Sequence, residues 1–126
     1  MRTVLLLLAV LSSPALACTI KPSRYANGLL APTPLLRPVC GEVYEAFKRS
    51  FERRGATWGE LYEAADPDRP LAALPWLGGL KARGYALKLD QRKGNVAQLG
   101  YASGKRRIFI SFGSVSGKPV VGIMGN

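Results

Sequence analysis

Residues 84–112 read GYALKLDQRKGNVAQLGYASGKRRIFISF, and the fold follows from how this stretch alternates. Tyr85, Leu87 and Leu89 are separated by Ala86 and Lys88. Ala97, Leu99 and Tyr101 share one parity, as do Ile108, Ile110 and Phe112. A period of two places every second side chain on one face, the pattern of a half-buried strand. Gln91–Asn95 and Ser103-Gly104-Lys105 interrupt it as turns. Short turns between sequential strands imply antiparallel pairing. Gly113–Lys118 reads as a Gly/Ser loop, and Val120–Met124 as a fourth strand.

The pattern upstream is helical. Val43, Tyr44, Phe47 and Phe51 share one face of a helix predicted from Glu42 to Arg54, with Glu42 and Glu45 at its start and Arg53 and Arg54 at its end. Glu45 and Arg49 are spaced to pair, and Gly55 is a natural stop. Thr57-Trp58-Gly59-Glu60 reads as a capping box opening a second, short helix through Leu61, Tyr62 and Ala65, ended by the turn Asp66–Pro70. Leu71–Arg83 is interrupted by Pro75 and Gly78-Gly79, so only a helical turn around Trp76–Ala82 is expected. The fold class is therefore α+β: two or three N-terminal helices packed on a C-terminal four-stranded antiparallel β-meander, with the helices covering its apolar face.

The first eighteen residues carry an address. Arg2, the apolar run Val4–Leu11 and Ala15-Leu16-Ala17 follow the order of a secretory signal peptide, residues 1–17. Eight apolar residues span about 12 Å as a helix, against a hydrocarbon core of ~30 Å, so no transmembrane span is expected in the mature chain. The protein is thus expected to be periplasmic or secreted. Cleavage after Ala17 leaves Cys18 and Cys40 as each other's only partner within the chain. In an oxidising compartment they are expected to form a disulfide across 21 intervening residues. That bond contributes roughly 3 kcal/mol in the chain-entropy model. It would close a proline-rich arm, residues 18–40, ahead of a single α+β domain over 41–126. The alternative is a membrane-tethered lipoprotein anchored through Cys18, although Ala15-Leu16-Ala17 fits a lipobox only in part.

Removing residues 1–17 leaves 109 residues with 17 basic and 8 acidic side chains, a net charge of +9. Such an excess favours polyanionic partners, either nucleic acid or an anionic envelope polymer. The candidate anion-binding residues are Lys88, Arg92, Lys93, Lys105, Arg106 and Arg107, on the turns and strand starts of the meander. Tyr101 and Phe109 are near enough in sequence to stack on bases. Phe109 has the opposite parity to Ile108 and Ile110 and so falls on the far face. Lys48, Arg49, Arg53 and Arg54 form a second basic cluster on the first helix. The other expected role is as a structural or inhibitory partner of another envelope protein.

Histidine is absent, which removes the usual general base and the usual zinc ligand. With both cysteines committed, no catalytic residue, metal ligand or cofactor is assigned. A carboxylate-only site could use Asp66 with Asp68 or Glu60 with Glu63, but aspartates beside prolines favour turns and Glu60 reads as a cap. Gly113–Lys118 is no phosphate loop, because its glycines are too close, Pro119 follows the lysine and no helix comes after it.

Overall fold

In the computed structural model the described residues are 25–126. The expected leader, Cys18 and the first part of the arm lie outside them. The chain is α+β, built on one six-stranded antiparallel sheet with two short helices. The elements are β1 (Leu36–Pro38), α1 (Glu42–Arg53), β2 (Trp58–Ala64), a 3₁₀ turn (Pro75–Gly78), α2 (Gly79–Ala82), β3 (Ala86–Lys93), β4 (Val96–Ser103), β5 (Arg106–Val115) and β6 (Lys118–Gly125). The spatial order is β1-β2-β6-β5-β4-β3.

Four of the six strands are the expected meander, with Lys93↔Val96, Ser103↔Arg106 and Val115↔Lys118 closing its hairpins. Each has two loop residues, and Gly94, Gly104 and Gly117 supply the positive φ that such tight turns require. The Gly113–Lys118 stretch is accordingly not a loop. Strand pairing runs through Val115 and leaves only Ser116 and Gly117 in the turn.

The second helix is a correction. Residues 58–64 form β2, which pairs with β6 from Trp58↔Gly125 to Glu63↔Val120 and with β1 from Leu36↔Ala64 to Pro38↔Tyr62. The capping box does not form. Thr57 N–H donates to the carbonyl of Gly125 at 2.8 Å, and Glu60 is buried rather than turned back to a helix start. Ladder bonds on both edges of β2 outweigh the one cap interaction that the local sequence offers.

The cover of the sheet also differs from expectation. On one face lie Tyr62, Val121, Ile123, Ile108, Ile110, Phe112, Ala97, Leu99 and Tyr101, all buried. They pack not under the long helix but under the arm and the 71–85 segment, through Tyr25, Ala26, Leu30, Ala73, Leu77, Leu80 and Tyr85. The indole N–H of Trp76 donates to the Ala31 carbonyl at 2.7 Å and ties the two covers together. The proline-rich residues from Tyr25 onward are therefore part of the core. Proline confines regular structure in the arm to the short edge strand β1, but it does not stop apolar side chains from burying.

Helix α1 lies on the opposite face. Gly59 and Gly122 expose bare backbone there, and the rings of Phe51 and Phe47 sit directly on them; a Cβ on Gly122 would stand 2.7 Å from the Phe47 ring. Only Phe51 of α1 is buried, and Val43 is 41 % exposed. The helix ends as expected, with the N–H of Gly55 bonded to Glu52 O at 3.0 Å. The Glu45–Arg49 pair is not made. Among the described residues the ion pairs are Arg37–Glu63 at 3.7 Å and Arg92–Asp90 at 2.8 Å.

One device holds the arm. Ala26 and Asn27 both have positive φ, 52° and 54°, so their successive N–H groups point the same way. Both donate to the Glu60 carboxylate, at 2.6 and 2.7 Å, and the Tyr62 hydroxyl donates to it at 2.6 Å. Tyr25 stacks on Tyr62 with centroids 4.9 Å apart. Burial, reinforced by the hydrogen bond and charge of Glu60, pushes the Tyr62 phenol far above its ordinary range. Burial and the Glu60 charge also raise Tyr25.

The folded state thus favours the neutral phenols. Their contribution to stability is complete below the ordinary tyrosine value of 10.0 and is lost as the pH rises above it, where the unfolded chain releases protons that the native one keeps. In an alkaline titration followed at 295 nm and by circular dichroism, the last tyrosinate signal should appear together with loss of the fold. Complete tyrosinate formation in a still-folded protein would refute this.

Candidate functional site

Topology sorts the basic residues by strand end. β5 begins and β6 finishes at the end of the sheet where β4 turns into β5. Lys105, Arg106 and Arg107 stand there, all exposed. Helix α1 terminates at the same end, since Thr57, three residues after Arg54, bonds to Gly125. Arg53 and Arg54 therefore join the β4–β5 turn. Lys81 and Arg83 lead into β3 at this end too, beside Ser103, whose hydroxyl lies 3.8 Å from where a Gly84 Cβ would be. Among the described residues no ion pair neutralises any of these side chains.

The acids lie elsewhere, apart from Glu52 in the last turns of α1. Glu42 and Glu45 occupy the helix start, Glu60 is buried, Glu63 stands at the far end of β2, and Asp66 and Asp68 follow it. Asp90 is spent on Arg92, whose guanidinium it holds above its ordinary value by hydrogen bond and charge. The molecule is electrically polarised along the strands.

The six candidate residues are consequently divided. Lys105, Arg106 and Arg107 belong to the basic end. Lys88 sits two strands away, in the bulge where the register slips between Leu87↔Tyr101 and Leu89↔Gly100. That bulge turns Leu89 to the opposite face from Leu87, so the even alternation of β3 breaks midway. Arg92 and Lys93 are at the far end, beside the β3–β4 turn. The structure brings the two sequence clusters together instead: Arg54 from the helix and Arg107 from β5 line one cleft.

That cleft has a volume of about 310 Å³ and is lined by Arg54, Gly55, Ala56, Arg107, Phe109, Met124, Gly125 and Asn126. Its floor is apolar, because Phe109 lies directly opposite Met124 on the α1 face of the sheet. Phe109 is half-buried there, on the far face as its parity implies. A second, more apolar groove of about 560 Å³ runs under the first half of α1, between Val43, Ala46, Phe47, Val115 and Val120. Neither was legible locally, since each needs the helix seated on β2 and β6 beside β5.

The carboxylate pairs do not converge. Glu60 and Glu63 point to opposite faces of β2, one into the core and one to Arg37. Asp66 accepts from the Asp68 N–H at 3.0 Å in an exposed turn, as aspartates beside prolines do. Among the described residues no group of three His, Cys, Asp or Glu is arranged to hold a metal. None of their helices is long and apolar enough to cross a membrane. Compared with known proteins, the chain matches no family model, no curated protein and no solved structure.

Proposed function

We propose that this is a non-enzymatic, extracytoplasmic binding module for a polyanion, nucleic acid or an anionic envelope polymer, and that it engages its partner with the basic end of the sheet. The observation carrying this reading is the segregation of charge: Arg53, Arg54, Lys81, Arg83, Lys105, Arg106 and Arg107 from three separate elements meet at one end, with only Glu52 near them. Like charges at one end of a small domain repel one another, and a polyanionic partner would relieve that repulsion. The leader supports a location outside the cytoplasm, in the periplasm or secreted. We further propose the Cys18–Cys40 disulfide, supported by the absence of a free cysteine among the described residues.

Retention on immobilised heparin or DNA tests this reading. Lys105→Glu with Arg106→Glu should lower the eluting salt concentration markedly, because each neutralised phosphate adds about 0.7–0.9 to the salt slope. Lys93→Glu, at the far end, should change it little. Equal losses from both ends would mean diffuse charge and no site. A second reading, a partner of another envelope protein, draws on the apolar groove under α1, where Val43 and Val115 are 41 % and 38 % exposed. Val43→Asp separates the two readings, since it should leave heparin retention intact.

A further inference from the structure

We propose that the cleft between Arg54 and Arg107 is a binding site for a single amphiphile, a long-chain acyl group ending in one anionic head, taken up as a free monomer. The proposal rests on the reading that this end of the sheet attracts anions, but not on its binding a polymer. Three features of the cleft carry it.

The first is charge at the mouth. Arg54 and Arg107 come from different parts of the chain and line one opening, and among the described residues neither is in an ion pair. A guanidinium offers a planar fork of donors that matches a carboxylate or phosphate. Arg107 is held at its base: its N–H donates to Asn126 Oδ1 at 2.8 Å, and its carbonyl accepts from the Asn126 N–H at 3.2 Å. Only the side chain is left to adapt.

The second is the apolar floor. Phe109 and Met124 sit side by side across β5 and β6, on the same face as Arg107. On its other side Phe109 faces Gly100, so no β4 side chain covers the ring there. A polymer that binds by charge alone makes no use of an aromatic ring and a thioether under its phosphates, whereas an alkyl chain does.

The third is size. A volume of about 310 Å³ lies at the lower end of small-ligand sites, too small for a folded partner and suited to one chain.

Met124 is the only methionine besides Met1, so its labelled methyl group is a direct probe of the cleft. Titration with dodecanoate below its micelle concentration, by calorimetry and methyl NMR, should give saturable one-to-one binding that shifts Met124. Affinity should rise roughly fourfold per methylene from octanoate upward. Acetate, which has the head alone, and dodecyltrimethylammonium, which reverses its charge, should bind far more weakly. Arg54→Gln with Arg107→Gln should weaken dodecanoate by about tenfold or more. Phe109→Ser, checked for native circular dichroism, should weaken dodecanoate while leaving heparin retention unchanged.

Binding of dodecanoate that ignores the arginine substitutions would overturn the proposal. So would acetate binding as well as dodecanoate, or binding only to phosphatidylglycerol vesicles. If heparin retention fails while dodecanoate binds as described, the polymer reading falls and the cleft stands.

Discussion

Replacing Glu60 with alanine should lower the unfolding free energy by about 3–5 kcal/mol, a large part of the stability of a domain this small. The side chain is 8 % exposed, and its two oxygens accept three hydrogen bonds, from Ala26 N–H, Asn27 N–H and the Tyr62 hydroxyl. Hydrogen bonds to a charged group contribute roughly 1.5–3 kcal/mol each, and truncation also leaves the buried donors of Ala26 and Tyr62 without an acceptor. Relief of the carboxylate's own desolvation offsets part of the loss, so the three bonds do not simply add. Ala26 and Asn27 also sit at positive φ, a conformation that costs about 1–3 kcal/mol per residue and persists only while something holds it.

Glu60→Gln should cost less than alanine. One amide oxygen can keep Ala26 and Tyr62 satisfied, and the N–H of exposed Asn27 can turn to water. Urea unfolding measures both variants, and limited proteolysis should show cleavage near Gly28 rising in the alanine variant alone. An alanine variant within 1 kcal/mol of the parent would show that the carboxylate is incidental to the arm.

The second large effect is expected where helix meets sheet. Phe51→Ala should cost about 3–5 kcal/mol, as for other buried phenylalanines. Phe51 is the one buried residue of α1, and its ring covers the backbone of Gly59. Gly59→Ala should cost about 1–3 kcal/mol by the opposite route, because the added methyl group falls inside the space of that ring. The two substitutions should couple. With the ring gone the methyl group fits, so the double variant should be more stable than the sum of the single losses implies, by about 1 kcal/mol or more. Strict additivity would mean that helix and strand do not meet at this point.

Both predictions concern residues whose neighbours in sequence point the wrong way. Glu60 stands three residues after Thr57, the spacing of a capping box, and that local signal implies a helix. Its actual partners are more than thirty residues upstream, apart from Tyr62. Phe51 was legible as an apolar helix position, but the glycines beneath it were not legible as its seat. An apolar stripe tells that a helix must be covered and leaves open which backbone covers it. The expectation that the helices shield the meander failed for the same reason. Tyr25, Leu30, Leu77 and Leu80 show no period that marks them as a lid, yet they close the main core.

The candidate site divides along the same line. Lys105, Arg106 and Arg107 were visible as a basic turn, and successive turns of a meander must lie at opposite ends, so their separation from Arg92 and Lys93 follows from connectivity alone. The meeting of Arg107 with Arg54 does not.

What the sequence by itself determined is whatever repeats within a few residues: the period of two through β4 and β5, the helix starting at Glu42, the first two turns of the meander and the excess of positive charge. These depend on backbone geometry and composition, which neighbours along the chain already specify. Only the tertiary structure decided that residues 58–64 are a strand, which face each cover occupies, and that two arginines share one cleft. β2 exists because β6, some sixty residues later, and β1 bond to both of its edges. A choice settled by the sum of such distant hydrogen bonds and buried contacts leaves no periodic trace in the segment that obeys it.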